Sequence, residues 1–388
     1  MANILDYISW RGDLSFSASP FNDIDALVLC QISYIDFDGL LPNENFSTSI
    51  TISALWEVFQ NSADFERRSD LGMLINKKSV DLLRVVASST RFKDVKVTGY
   101  SSVIDLSIEE QFSAVTFLLP EKMNFVAYRG TDDTIVGWKE DFNLAIMDEV
   151  PAQTDAVRYL EAAAKSLKGG FIVGGHSKGG NLAVYAGAMV SRPVRKRVEM
   201  IYNLDGPGFS DKTLSSNDFY EVIPKIRSYY PRFSIVGMLF SHAGEYRVVE
   251  SDETGIMQHD PFSWHLCATA FTTVDGFDSG SVFFHKTFNE WISRLDDEQR
   301  NRFIEALFSL IQATDARTNS EIEKNLLRNS VKILKAIGSL DSEMRSALWE
   351  TLSLLFKTAH KQLPLFSRVE ADAKGKNASK SVDDTDKK

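Results

Sequence analysis

The chain reads as an α/β protein built on a largely parallel central sheet, with a helical N-terminal segment and an all-helical C-terminal appendage. Three observations predict this. Short apolar strand candidates alternate with helical stretches between residues 154 and 249, a hairpin signal precedes them, and helical periodicity dominates both ends.

The first 92 residues read as helical. Ala26, Leu27, Val28, Leu29, Cys30 and Ile32 form an apolar run after the acidic turn Asn22-Asp23. Ile52, Leu55, Trp56 and Phe59 recur at helical spacing, and Leu82, Leu83, Val85 and Val86 supply a third cluster. The pattern changes near Val95. Residues 95–104, 113–119 and 124–128 are β-rich, and Pro120-Glu121-Lys122 between the last two predicts an antiparallel hairpin. Helix, strand, helix and strand follow over 154–167, 171–174, 179–190 and 200–204, with further strand candidates at 226–230 and 246–249. From about His285 the period is helical again. Phe303, Leu307 and Ile311 lie four apart. Ile322, Leu326, Ile333 and Ile337 fit one stripe, and Met344, Leu348, Leu352 and Leu355 another. Thr318 with Glu321 has the form of a capping box. The expected division is residues 1–285 for the α/β domain, 286–366 for the helical appendage and 367–388 for a disordered tail, which has no aromatic residue and is rich in Lys, Asp and Ser.

With 388 residues, 44% of them hydrophobic, the chain can bury a sizeable core without disulfide or metal staples. Against 43 Lys and Arg stand 53 Asp and Glu, a net charge of −10, so the chain as a whole lacks the basic face that nucleic acid requires. No apolar run is long enough for a transmembrane segment. Cys30 and Cys267 form neither C-x-x-C nor a metal-ligand spacing and read as two buried, reduced thiols. Asp6, Arg11 and Asp13 stand where a signal peptide needs an apolar stretch, so a cytoplasmic location is expected. There is no Walker loop, no G-x-G-x-x-G and no H-E-x-x-H, and neither cofactor nor metal is expected.

The chemistry concentrates in one segment. The apolar run Phe171-Ile-Val-Gly leads into Gly175-His176-Ser177-Lys178-Gly179, a G-x-S-x-G pattern, and a small-residue helix with Ala183, Ala186, Gly187 and Ala188 follows. This is the sequence form of a nucleophile elbow: glycines two residues either side of the serine clear the strand and helix that flank a strained turn. The turn presents the hydroxyl at a helix N-terminus, where free N–H groups favour developing negative charge. Read without that context, the pentapeptide is a glycine-rich structural turn.

A second segment, Val126-Ala-Tyr-Arg-Gly-Thr131, ends a strand in a polar turn, and Trp138-Lys-Glu-Asp141 follows it. V-A-Y-R-G-T followed by W-x-x-D resembles the oxyanion-loop segment of the class 3 (fungal-type) triacylglycerol lipases, and the elbow lies at a suitable spacing downstream. With the opening Asp6-Tyr-Ile-Ser-Trp-Arg-Gly-Asp-Leu14, the chain resembles a mostly uncharacterised bacterial branch of that family over about residues 6–271. The resemblance implies an α/β-hydrolase fold. It also implies that Thr131, with the backbone N–H of Lys178, holds the oxyanion. A turn of small polar residues after a buried strand is physically suited to that task.

A serine hydroxyl needs a base. Of six histidines, His176 adjoins Ser177 on the turn and His360 lies in the appendage, so chain order leaves His242, His259, His265 and His285. Gln258-His259-Asp260-Pro-Phe-Ser-Trp264 is polar and turn-forming, and its position resembles the lipase histidine loop; His259 is the chosen base. The third member departs from the family: Ser234 stands where the lipase aspartate is expected. Asp205, in Asp205-Gly-Pro-Gly at the end of the strand next to the elbow, is the chosen substitute, since the geometry asks only that a carboxylate reach the far imidazole nitrogen. Asp252, Asp260 and a Ser–His dyad aided by Ser234 remain as alternatives. His176, Trp138 and Met238 are candidate substrate contacts, although Ile135, Val136 and Trp138, like Met238-Leu239-Phe240, equally fit core positions.

The expected activity, its ester class implied by the resemblance, is hydrolysis of a carboxylic ester of a lipid or other acyl substrate through an acyl-enzyme on Ser177. The elbow by itself serves a thioesterase, an acyltransferase or a peptidase as well. The missing aspartate at position 234 motivates another alternative, a non-catalytic scaffold whose helical appendage binds a protein partner.

Overall fold

The computed structural model describes residues 1–296, except 73–74, 106, 108–109, 133–139, 141–143, 145–148 and 243, with isolated positions beyond. Apart from those positions, the stripes predicted between Phe303 and Leu355, the Thr318–Glu321 box and the tail over 367–388 lie outside the described residues.

Among the described residues nine strands form the central sheet: β1 (Ile50–Thr51), β2 (Lys96–Asp105), β3 (Glu110–Leu119), β4 (Met123–Tyr128), β5 (Gly170–His176), β6 (Val198–Leu204), β7 (Ile226–Pro231), β8 (Tyr246–Val249) and, after a small hairpin of β9 (Leu266–Cys267) with β10 (Ala270–Phe271), β11 (Thr273–Val274). The spatial order is β1-β2-β3-β4-β5-β6-β7-β8-β11. β4 to β8 are mutually parallel, whereas β1 to β4 pair antiparallel and β11 returns antiparallel on β8. The parallel part is thus the centre of a mixed sheet. The predicted hairpin is β3–β4, turned by Pro120–Lys122 with Glu121 and Lys122 at φ 58° and 59°.

The pleat sorts side chains into two layers. On β4, Phe125 and Ala127 join the core beneath the N-terminal helices, while Val126 and Tyr128 join the core beneath the helix Pro151–Ser166 and the elbow helix Lys178–Met189. Ile172 and its neighbours Phe171 and Val173 divide the same way on β5. Burial on both faces explains why these strands read as continuous apolar runs.

The helix Asp23–Ile32 has all ten residues buried. It lies against β5, where a Cβ added at Gly174 would stand 3.3 Å from Cys30 Sγ. Helices Ile4–Arg11 and Lys78–Ser88 cover its other side. Asn3 and Asn22 cap the first two helices in capping boxes with Asp6 and Asp25. Inside, Asp25 is held by Arg91 and by Tyr7 Oη. Cys30 is buried as expected, but Cys267 is exposed: the short β9–β10 hairpin turns it to solvent. The helix Ser279–Ser293 crosses the expected domain boundary at 285 without a break. No helix among the described residues is long and apolar enough to cross a membrane.

Candidate active site

The site gathers at the carboxyl ends of β4 to β8, the usual ligand-binding edge of a parallel sheet. β5 ends at His176, and Ser177 caps the elbow helix with φ 58° and ψ −134°, a conformation that costs a non-glycine residue about 1–3 kcal/mol. Its N–H is tied to the Leu204 carbonyl of β6 at 2.9 Å. Gly179 makes the turn sterically feasible, because a Cβ there would stand 2.1 Å from the Tyr128 carbonyl oxygen. Ser177 keeps partial exposure between buried neighbours.

The turn after β4 lies directly against the elbow: a Cβ on Gly130 would sit 3.1 Å from Ser177 Cβ and 2.6 Å from the His176 carbonyl oxygen. Thr131, the next residue, is buried. Lys178 is the first residue of the elbow helix, so its N–H has no intrahelical acceptor. Its side chain runs the opposite way into the core. Lys178 Nζ donates to both Gln111 oxygens, the carbonyl at 2.7 Å and Oε1 at 2.8 Å, and to Glu140 Oε2 at 2.8 Å. Glu140 also accepts from the N–H groups of Gln111 and Ala152. Lysine and glutamate are 1% and 0% exposed, a buried ion pair with every lysine donor used.

Asp205 follows β6 in the left-handed region, φ 53°, its N–H bonded to the Tyr229 carbonyl at 2.8 Å. The carboxylate is fully buried, and its Oδ2 accepts from His259 Nδ1 at 2.5 Å. Its Oδ1 accepts from Ser234 Oγ at 2.5 Å. Ser234 thus acts as a donor to the buried Asp205 carboxylate. Gly237 admits this close packing, since a Cβ there would lie 2.3 Å from Asp205 Oδ1.

His259 closes the turn Gly255–His259 and is partly exposed. Its carbonyl accepts from His176 Nε2 at 2.9 Å, and the two rings lie tilted by 35° with centroids 4.6 Å apart. Tyr34 Oη lies 3.0 Å from His176 Nδ1, so His176 bridges the N-terminal layer and the His259 turn. Burial, reinforced by the neighbouring His259, pushes the His176 pKa well below its ordinary value, which keeps the ring neutral with one donor and one acceptor nitrogen. With both nitrogens engaged, His176 buttresses the turn.

The other candidates fall elsewhere. Asp252 is exposed and bonds His265 Nε2 at 2.6 Å. Asp260 caps the turn Pro261–Ser263 and accepts from Asn76 Nδ2 at 2.6 Å. His242 Nδ1 contacts Tyr230 Oη at 2.7 Å, and burial lowers its pKa to about 4. Met238 is half-buried in the turn Val236–Met238, where its carbonyl accepts from His285 Nδ1 at 2.5 Å. Trp138, Asp141, Ile135 and Val136 lie outside the described residues, as does His360. Tyr34, Glu140 and Ser281 support the site, and no motif in the sequence marks them for that role. Among the described residues no group of three or more His, Cys, Asp or Glu is placed to hold a metal ion.

A parallel-centred sheet sandwiched by helices, with a strained serine at a strand-to-helix elbow and a His–Asp pair on the following loops, defines a protein of the α/β-hydrolase fold. Residues 86–309 match the Mbeg1-like family, and the chain belongs to that family. Among solved structures it is similar to M37 lipase, at 12% identity and a TM-score of 0.34, over 55% of this chain and 68% of that one. It is also similar to the Rhizomucor miehei lipase of a native propeptide complex, at 19% identity and a TM-score of 0.31, over 50% of this chain and 66% of that one. The chain thus spans about two thirds of the length of those lipases. No curated protein matches it.

Proposed function

We propose that the protein is a serine hydrolase that cleaves carboxylic esters, lipid or other acyl esters, and that it represents a bacterial class 3 lipase-like branch. The observation that carries the reading is the 2.5 Å hydrogen bond between buried Asp205 and His259, on loops adjoining the strained Ser177 elbow. Nδ1 of His259 is committed to the acid, which leaves Nε2 for proton transfer. Ser177 Oγ attacks the acyl carbonyl while His259 Nε2 takes its proton. The tetrahedral oxyanion is held by the N–H groups of Thr131 and Lys178. Collapse expels the alcohol, which takes the proton from His259. A water then attacks the acyl-enzyme with His259 again as base, releasing the acid and restoring the serine. Met238 is a substrate contact in this scheme.

A fluorophosphonate probe and a p-nitrophenyl ester series of graded chain length test the reading together. Wild type should label and hydrolyse, and Ser177→Ala should do neither. A folded wild-type protein that takes no label and hydrolyses no ester in the series would overturn it and favour a binding role for the fold.

A further inference from the structure

We propose that Ser234 is a positioning residue for Asp205, held in place by Ser281, so that the helix Ser279–Ser293 forms part of the support of the acid–base pair. This rests on the catalytic reading above. A fully buried carboxylate requires donors for its oxygens. His259 satisfies Oδ2 and Ser234 satisfies Oδ1, each at 2.5 Å. Ser234 is itself 1% exposed and is gripped at its backbone by one side chain. Ser281 Oγ donates to the Ser234 carbonyl at 2.5 Å and stands 3.3 Å from its N–H as acceptor. One helical turn later, His285 Nδ1 donates to the Met238 carbonyl at 2.5 Å. Residues 281 and 285 share a helix face, so the helix holds the 234–238 segment at both ends. A carboxylate at position 234 would face Asp205 directly as a like charge. A hydroxyl is the group this place requires once the acid arrives from β6 instead of β7.

The test compares Ser234→Ala, Ser234→Thr and Ser281→Ala in the full chain. Two readouts are taken: kcat and KM on a p-nitrophenyl ester, and the deshielded Nδ1 proton of His259 in the NMR spectrum, assigned by its loss in His259→Gln. Loss of a hydrogen bond to a charged group predicts a fall in kcat of about 10- to 100-fold for Ser234→Ala, with KM nearly unchanged. The proton should move upfield or broaden as the carboxylate loses its hold. Ser234→Thr, which keeps the hydroxyl, should retain the wild-type resonance and most of the turnover. Ser281→Ala removes no group that touches the pair and should shift both readouts in the same direction, by less. A wild-type proton resonance in Ser234→Ala, or an undisturbed one in Ser281→Ala, overturns the proposal. If wild type hydrolyses no ester, the catalytic reading fails separately, and the proton still reports whether Ser234 holds Asp205.

Discussion

Asp205→Asn removes one charge and almost nothing else. Asparagine tolerates the left-handed φ of 53° better than any residue but glycine, so the backbone after β6 keeps its course. The amide oxygen can still accept from Ser234 Oγ at the Oδ1 position. The damage falls on the other side of the group. An amide NH2 facing His259 Nδ1 can only donate, which forces the ring proton onto Nε2, the nitrogen that takes the proton of Ser177 in the proposed mechanism. The imidazolium formed in the transition state also loses its buried counter-charge. Together these predict a fall in turnover of about 10³- to 10⁴-fold, or roughly 4–5.5 kcal/mol at about 1.36 kcal/mol per decade. Unfolding in urea should change by no more than about 1–2 kcal/mol, since both neighbouring donors keep a partner or solvent access. The assay is kcat/KM on the best p-nitrophenyl ester, with the urea midpoint measured on the same preparation. Turnover within about tenfold of wild type would refute the assignment of Asp205 as the acid.

Four further outcomes are expected. His259→Ala should reduce turnover nearly as far as Ser177→Ala, because in the proposed mechanism nucleophile and base act as a unit, whereas His242→Ala should spare it; kcat ratios decide. Gly237→Ala places a methyl 2.3 Å from Asp205 Oδ1 and should lower kcat without weakening substrate binding, read from kcat against KM. Lys178→Met strands the Glu140 carboxylate in the core and should cost about 3–5 kcal/mol in urea unfolding, part of which Glu140→Gln in the same background should restore. Between pH about 6.5 and about 4 the unfolded chain binds a proton at His242 that the folded chain refuses, so stability falls as pH falls, by up to about 1.4 kcal/mol per pH unit from this group; His176 acts with the same sign. His242→Gln should flatten that slope in urea titrations at pH 7 and pH 5.

The parts of the molecule legible in the sequence are those whose chemistry is local. G-H-S-K-G needs its glycines for reasons contained within five residues, and residues 125–128 of β4 and 171–173 of β5 announce themselves as apolar runs, whereas β7 and β8 are marked by their aromatic and β-branched residues despite Arg227 and Arg247. Edges are harder. β3 begins at Glu110 and Gln111, and β5 runs on through Gly175 and His176, where polar or side-chain-less residues interrupt the apolar pattern although they are buried. The elbow helix begins at Lys178 despite two glycines in its first turn, because tertiary packing overrides propensity there. The supports of the site are illegible for another reason. Tyr34 meets His176 across 142 residues, Lys178 meets Glu140 across 38, and Ser234 meets Ser281 across 47. Nothing periodic marks such partners. The W-x-x-D pattern points to Asp141, while the residue beside it makes the buried ion pair.

The helix Asp23–Ile32 and the Tyr34 that follows it precede residue 86, where the stretch shared with the family begins. Yet that helix roofs β5, and Tyr34 reaches the ring of His176 beside Ser177. The hereditary signature and the cooperative unit therefore do not coincide. Chimeras exchanged between relatives at the edge of the shared stretch would strip an apolar roof from the sheet, and only grafts that carry the preceding helices with them should inherit an assembled edge of Ser177, His259 and Asp205.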